Sequence, residues 1–246
     1  MIAEDARHSK GTTYSDLEPD KIDQVPDSAS HRDVDLVIRD HLANPQSEKE
    51  HNARVAIVMP PVIYGLGNGP FNKMSITVPA LYKATVKQGT GVSVGEGKNI
   101  CDGVHVKDLV NGFLYILEEL EKTSPGSGGG PYWFAETERF ELFSLVQRVS
   151  TMLHSAGKSD GRVTKASEND HDLLISSFQD FFPPGLIDAD AETKAKAAAG
   201  LWVAFGSNAS TSADRLRSLG WTPEPGRLSI LASVEKEEIP ELLKRQ

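Results

Sequence analysis

Residues 54–65 read Arg-Val-Ala-Ile-Val-Met-Pro-Pro-Val-Ile-Tyr-Gly, and these residues are the strongest indication of the fold class. Its first half is a short, continuous and largely β-branched apolar run, which is typical of a strand buried on both faces of a parallel sheet. Pro60 and Pro61 end the strand, because proline has no amide proton to donate to a sheet. A glycine-rich turn and a helical period at about 75–87 follow. This order predicts a β-α unit of an α/β protein.

The chain as a whole divides into three predicted regions, and the β-α unit lies in the second of them. Residues 1–30 are polar and lack a sustained period, so they are expected to be a loop or a partly ordered lead-in. Residues 31–123 are predicted to form the remnant of a parallel-sheet core, with helices at about 31–42 and 107–121. Residues 124–246 are predicted to be mostly helical with little β structure. The second and third regions are expected to interleave in space.

Charge and cysteine content limit the function classes. The chain carries 26 basic and 35 acidic residues, a net charge of -9, and no cluster of Lys or Arg. This balance disfavours nucleic acid and anionic membranes as partners. The single cysteine, Cys101, has no partner for an internal disulfide or a structural zinc site, which favours a reducing compartment. No signal-peptide pattern or membrane-length apolar run is present. We therefore expect a cytoplasmic protein without a metal.

The glycine turn is superficially similar to a dinucleotide-binding loop. Gly65-Leu-Gly67-Asn-Gly69 follows a predicted strand and precedes a predicted helix. The G-x-G-x-x-G spacing, however, requires a third glycine at the position of Pro70, and no acidic residue ends a further strand about 20 residues later. The segment is therefore predicted to be a mobile loop beside a ligand cleft and not a pyrophosphate cradle.

Three strings of residues occur in an order that carries a family resemblance. They are Met-Pro-Pro-Val-Ile-Tyr-Gly at 59–65, Val-Gly-Glu-Gly-Lys-Asn-Ile-Cys-Asp-Gly-Val-His-Val-Lys-Asp-Leu-Val at 94–110, and Arg-Leu-Arg-Ser-Leu-Gly-Trp-Thr-Pro at 215–223. With them the chain resembles the extended short-chain dehydrogenase/reductase superfamily, in particular the NAD-dependent epimerase/dehydratase family, over about 31–234. The resemblance implies a partial Rossmann-like parallel sheet flanked by helices, and a C-terminal, mostly helical substrate lobe. It also implies NAD or NADP as cofactor and a sugar-like or small carbonyl substrate.

The chain departs from the family pattern at three places. It lacks the glycine-rich loop after the first strand. The family's Tyr-x-x-x-Lys positions are occupied by His31 and Asp35. His31 is a candidate acid or base with Asp35 orienting it, because residues i and i+4 share a helical face. The alternative is a capped helix start with an ion pair. Cys101 stands where many relatives carry an Arg that helps to hold a diphosphate, which weakens the case for a nucleotide-sugar substrate.

Several residues are candidates for binding. Pro60 and Pro61 are predicted to bind the cofactor together with Tyr64, because they would fix the chain at the carboxyl end of a parallel strand, where such sheets open their ligand crevice. Tyr64 offers a flat face and a hydroxyl to a cofactor, or alternatively packs under the following helix. The predicted substrate-binding residues are Asn72, Asp102 and Arg215.

The spacing of Asp102, His105 and Asp108 leaves a further alternative open. These residues lie three apart, so they could converge on a metal or share a proton. The resemblance implies instead that this segment anchors the start of a helix, with Asp108 as a first-turn carboxylate. The second interpretation is favoured.

Two functions from different classes remain. One is an NAD(P)-dependent epimerase, dehydratase or reductase acting on a small-molecule substrate. The other is a truncated or degenerate family member that binds no dinucleotide productively and acts as a binding or interaction module. Because the glycine loop and the Tyr-Lys pair are missing, we favour the non-catalytic binding or interaction module as the activity of the chain. The apolar sheet edge at 54–59 is also expected to promote homo-oligomer formation.

Overall fold

The computed structural model describes residues 2–6, 11–29, 31–44, 50, 53–124 and 131–245. Its strands are β1 Glu4–Asp5, β2 Thr13–Ser15, β3 Ile57–Met59, β4 Val62–Tyr64, β5 Gly91–Val94, β6 Ile100–His105, β7 Tyr132–Phe134, β8 Glu138–Glu141, β9 Val163–Ala166, β10 Ser207–Asn208 and β11 Ser210–Ser212. Its α-helices are α1 Pro19–Asp23, α2 Arg32–Leu42, α3 Thr77–Gln88, α4 Val106–Lys122, α5 Leu142–Ser155, α6 His171–Ser177, α7 Ala191–Phe205, α8 Asp214–Ser218, α9 Ile230–Ser233 and α10 Ile239–Lys244. A π-helical turn, Val234–Glu238, joins α9 to α10.

Residues 54–65 form two strands, β3 and β4, that belong to different sheets. β3 pairs in parallel with β7, whereas β4 pairs in parallel with β6. Pro60 and Pro61 separate the two strands, because neither can donate a ladder hydrogen bond. β6 also pairs antiparallel with β8, and β5 pairs in parallel with β9. The fold is therefore α/β, with short parallel sheets flanked by helices, as the sequence predicts.

Two apolar cores support these sheets. The first packs α3, α5 and α7 around β5, with Leu81, Leu145 and Trp202 among its buried side chains. The second packs β3 and β7 against the inner face of α4 and contains the fully buried Trp221. Nearly all β3 and β7 side chains are buried, which explains their continuous apolar sequences. The two cores meet where β3 ends and β4 begins.

The lead-in contains two short strands and a helix that the sequence does not predict. β2 pairs in parallel with β11, and β1 pairs antiparallel with β10. The buried guanidinium of Arg32 holds α1 in place, because its Nη2 donates to the Asp23 carboxylate at 3.3 Å and its Nη1 to the Tyr132 hydroxyl at 3.2 Å. That hydroxyl donates in turn to Asp23 at 2.6 Å. This cluster fastens the lead-in to β7.

None of the described helices combines the length and the apolar character that crossing a bilayer would take.

Candidate functional site

A cavity of about 430 Å³ opens where β3 ends. Pro60 and Pro61 form one side of it, and further walls come from residues in 72–77 and 203–209. Cys101, on β6, also lines it. Ligand crevices of parallel α/β sheets open at the carboxyl ends of their strands, and pockets for small molecules measure about 300–1,000 Å³. The cavity therefore has the position and the size of a small-molecule site.

The glycine turn is held in place beside this cavity. Gly65 has a φ of +88°, and a Cβ at this position would lie 2.2 Å from Nε2 of His105. The amide of Gly67 donates to the carbonyl of Lys73 at 2.8 Å. The side chain of Asn72 bonds to both the amide and the carbonyl of Met74. The predicted position beside a cleft agrees with the structure, and internal hydrogen bonds fix the loop there.

Most polar side chains in the lining already have partners within the protein. The Ser75 hydroxyl donates to Glu238 at 3.0 Å, and the Ser207 hydroxyl contacts the carbonyl of Trp202 at 3.5 Å. Burial raises the pKa of the Cys101 thiol to about 12, so it stays protonated near neutral pH. Lys73 and Thr77 are the lining side chains that form no hydrogen bond or ion pair within the described residues.

His31 and Asp35 lie at the start of α2 and do not line the cavity. His31 is the N-cap residue with a φ of 66°, and its side chain makes no capping hydrogen bond. The amide of Asp35 donates to the carbonyl of His31 at 3.4 Å, which is an ordinary first-turn contact. The proposed acid-base role of this pair stays a prediction, and its position gives it no support.

The three predicted cofactor-binding residues have different environments. Pro60 and Pro61 face the cavity. Tyr64 does not line it, because its ring is buried edge-on against His105, with the centroids 5.4 Å apart. Its hydroxyl donates to the carbonyl of Leu228 at 3.1 Å. Burial raises the pKa of this phenol above its usual range, so Tyr64 stays protonated. Both the ring and the hydroxyl of Tyr64 thus contact other parts of the protein, and its cofactor-binding role stays a prediction.

The predicted substrate-binding residues are also separated. Asn72 lines the cavity, but its side chain is occupied within its own loop. Asp102 is fully buried, and its carboxylate accepts hydrogen bonds from Arg139 and from the amide of Thr211. Arg215 stacks over the ring of Trp133, with 3.9 Å between its guanidinium carbon and the ring centroid. These contacts correspond to structural roles for Asp102 and Arg215.

The motif containing Asp102, His105 and Asp108 anchors a helix and does not form a cluster. Nδ1 of His105 accepts from the amide of Lys107 and so caps α4. Burial lowers the pKa of His105, which favours the neutral imidazole that can accept this bond. Asp108 accepts from Arg227 at 3.2 Å. Within the described ranges, no three His, Cys, Asp or Glu side chains are placed to hold a metal ion.

All three motif strings meet around this helix start. Tyr64 of the first string contacts His105 of the second. The indole of Trp221, from the third, donates to the backbone carbonyl of Asp108 at 3.2 Å. The three strings therefore pack against one another in the fold.

Sequence reasoning did not assign one wall of the cavity. Val203, Ala204 and Phe205 end α7 and line the site together with Ala209. This segment follows the first wall by about 140 residues in sequence, and its weak helical period gives no sign of a ligand contact. The packing of α7 on β5 places this segment in the wall of the cavity.

Comparison with known proteins agrees with this architecture. The model of the NAD dependent epimerase/dehydratase family matches residues 40–127. The oxidase ucsJ of an Acremonium species is 25% identical over 147 residues, which cover 56% of this chain and 41% of that protein.

Two solved structures align with almost the whole chain. A dTDP-glucose 4,6-dehydratase from Bacillus anthracis, in complex with NAD, has a TM-score of 0.55 at 13% identity. A UDP-glucuronic acid 4-epimerase from Bacillus cereus, also with NAD, has a TM-score of 0.53 at 14% identity. Each alignment covers 97% of this chain and 58% of the other. These likenesses establish the fold, and the family match confirms the resemblance found in the motifs. The chain spans about half the length of these relatives.

Proposed function

We propose that this chain, whose residues 40–127 match the NAD-dependent epimerase/dehydratase family, forms the substrate-side part of an NAD(P)-dependent epimerase-, dehydratase- or reductase-like protein. The substrate expected for such a protein is sugar-like or a small carbonyl compound. The cavity at the carboxyl end of β3 supports this proposal, because residues of the first two motif strings line it.

The described residues do not fit the pyrophosphate of a dinucleotide. A pyrophosphate is held by free backbone amides of a glycine loop at a helix N-terminus. Here Gly65 packs against His105, and the amide of Gly67 already donates to Lys73. Pro60 and Pro61 supply a wall but no donors. An NAD(P) cofactor would supply hydride chemistry. The described residues form only part of a site for it, because neither the amide of Gly67 nor the proline pair is free to donate to the pyrophosphate.

The lining of the cavity is the observation that supports the binding module over the enzyme. A general acid or base needs a pKa near the operating pH. Among the described lining residues there is no Tyr, His, Asp or Glu, and the thiol of Cys101 has a pKa of about 12. We therefore favour the second candidate for the chain itself: a family member that binds a small molecule without converting it.

Titration calorimetry of the purified chain with NADH and NADPH tests this choice. We expect no binding at micromolar concentrations, because a phosphate cradle is not formed by the described residues. A cooperative melting transition of the same sample is the control that the protein is folded. Micromolar affinity for either dinucleotide would contradict the binding-module assignment and support the enzyme. In that case, turnover of a His31→Ala variant would test the predicted acid-base pair.

We further propose that the chain self-associates. Among the described strands, β3 pairs only with β7, so its other edge is open. α4 carries an apolar stripe at i, i+3, i+4 and i+7 whose side chains are about half exposed: Val110, Phe113, Leu114 and Leu117. Open edges and apolar stripes both favour association. The cytoplasmic location expected from the single cysteine stays a prediction.

A further inference from the structure

The walls of the cavity are predominantly apolar. Val62 and Ile63 follow the proline pair, Leu142 starts α5, and Val203 and Phe205 come from α7. Apolar walls stabilise a ligand in proportion to the apolar area that they remove from water. The main contribution to binding in this cavity therefore comes from the hydrocarbon part of a ligand.

The positive charge available to a ligand is limited to one side chain. Lys73 is the only Lys or Arg among the described lining residues. It is exposed, and no acidic side chain in the described part of the chain pairs with it. Asn72 and Ser75 on the same wall are occupied by Met74 and Glu238. A diphosphate needs several charge-assisted donors, and an uncompensated charge against apolar walls is unfavourable. The site is thus suited to at most one anionic group.

The rim of the cavity exposes large apolar side chains. Phe71, next to the lining residue Asn72, is 89% exposed, and the lining residues Ile76 and Val203 are 70% and 42% exposed. Side chains of this kind around the mouth of a cavity extend the apolar contact surface beyond the cavity itself. A ligand with an extended hydrocarbon body would cover them.

We propose that the cavity binds an acyl compound with one carboxylate, whose hydrocarbon chain lies against the apolar walls and whose carboxylate pairs with Lys73. The inference rests on the proposed function, in that this cavity is the ligand site. It narrows the ligand class from sugar-like or carbonyl compounds in general to apolar monoanions, and it disfavours nucleoside-diphosphate sugars.

Calorimetric titration with decanoate, below its micelle concentration, and with UDP-glucose tests the proposal without any dinucleotide. We expect decanoate to bind and UDP-glucose to bind at least 100-fold more weakly. Tighter binding of UDP-glucose would overturn the proposal. The decanoate and UDP-glucose titrations contain no dinucleotide, so their outcome does not depend on NADH binding. Micromolar NADH binding in the separate titration would contradict the binding-module assignment and would leave the decanoate result unchanged.

Two variants with matched controls locate the ligand. Val203→Glu places a negative charge on the rim and is expected to weaken decanoate binding at least 10-fold, whereas Val34→Glu, on an exposed valine of α2, leaves it unchanged. Lys73→Gln is expected to weaken decanoate about 3-fold, as for an exposed ion pair, while Lys83→Gln on α3 has no effect. Unchanged binding in Val203→Glu would show that decanoate binds elsewhere and would overturn the proposal.

Discussion

Arg139 and Asp102 form a two-point ion pair between β8 and β6, where they are directly opposite each other in the sheet. Nε of Arg139 lies 2.7 Å from Oδ1 of Asp102, and Nη2 lies 3.3 Å from Oδ2. The amide of Thr211, on β11, donates to the same carboxylate. One buried carboxylate thus joins three strands beside the cavity.

Replacing this carboxylate is expected to destabilise the fold. Asp102→Ala leaves the buried amide of Thr211 without its acceptor and removes the partner of Arg139. Because Arg139 is half exposed and can be rehydrated, we expect a loss of about 2–3 kcal/mol in the free energy of unfolding. Urea denaturation measures it.

Glu96→Ala serves as the matched control for Asp102→Ala. Glu96 forms an ion pair with Lys165 in which both side chains are largely exposed, and exposed pairs contribute little. Its urea midpoint should not move. If Asp102→Ala denatured at the same midpoint as this control, the carboxylate would not hold the three strands together.

The parts of the fold that sequence predicts are those that local chemistry determines. Proline cannot donate a ladder hydrogen bond, so Pro60 and Pro61 mark the end of β3 in the sequence. The apolar run before them is recognisable within a few consecutive residues. The three motif strings were sufficient to recognise the family resemblance, because each is a short local pattern and they follow one another in the order that the family shows. The helix start at Val106 was predictable for the same reason.

The parts that sequence does not predict depend on distant partners. The burial of Arg32 requires Tyr132, which lies 100 residues further along the chain. The wall formed by Val203 and Phe205 depends on how α7 packs against β5. The sequence leaves two alternatives for Tyr64, because the bond from its hydroxyl to the carbonyl of Leu228 joins residues 164 positions apart. Long-range packing decided each of these cases.

Glu136 is expected to make stability depend on pH. It is buried after β7 with Oε1 2.5 Å from Nη1 of Arg217, while its Oε2 has no hydrogen-bond partner in the part of the chain that the structure describes. Burial raises its pKa from 4.5 to about 7. The folded protein therefore keeps this proton at pH values where the unfolded chain has lost it, so stability falls as pH rises from about 4.5 to 7.

The variant Glu136→Gln removes this titration. The difference in unfolding free energy between the parent and Glu136→Gln should change by about 2–3 kcal/mol across that pH window, with the parent losing stability as pH rises. Urea unfolding at a series of pH values measures the difference. Parallel pH profiles for the two proteins would show that the carboxyl is already ionised at pH 5 in the folded state.

Gly65 is expected to tolerate no side chain. It has a φ of +88°, and an added Cβ would lie 2.2 Å from Nε2 of the buried His105, so either the loop or the imidazole must move. We expect Gly65→Ala to cost about 2–4 kcal/mol and to lower the melting temperature.

Gly69, four residues further along the same loop, provides the control. A Cβ at Gly69 would meet no atom within 4 Å, and its φ lies outside the left-handed region. Gly69→Ala should therefore change stability by less than about 0.5 kcal/mol. Equal melting temperatures for the two variants would mean that the contact between Gly65 and His105 does not constrain the loop.

The proposed self-association can be tested by placing charge on the stripe of α4. In sedimentation velocity the parent chain is expected to show a concentration-dependent shift towards a larger species, because the exposed stripe loses contact with water on association. Phe113→Lys combined with Leu117→Glu should keep the chain monomeric over the same range. Ile187→Glu places a charge on an exposed apolar residue of a separate segment, Leu186–Asp188, and should leave the association intact. A parent chain that sediments as a single monomer at all concentrations would contradict the proposal.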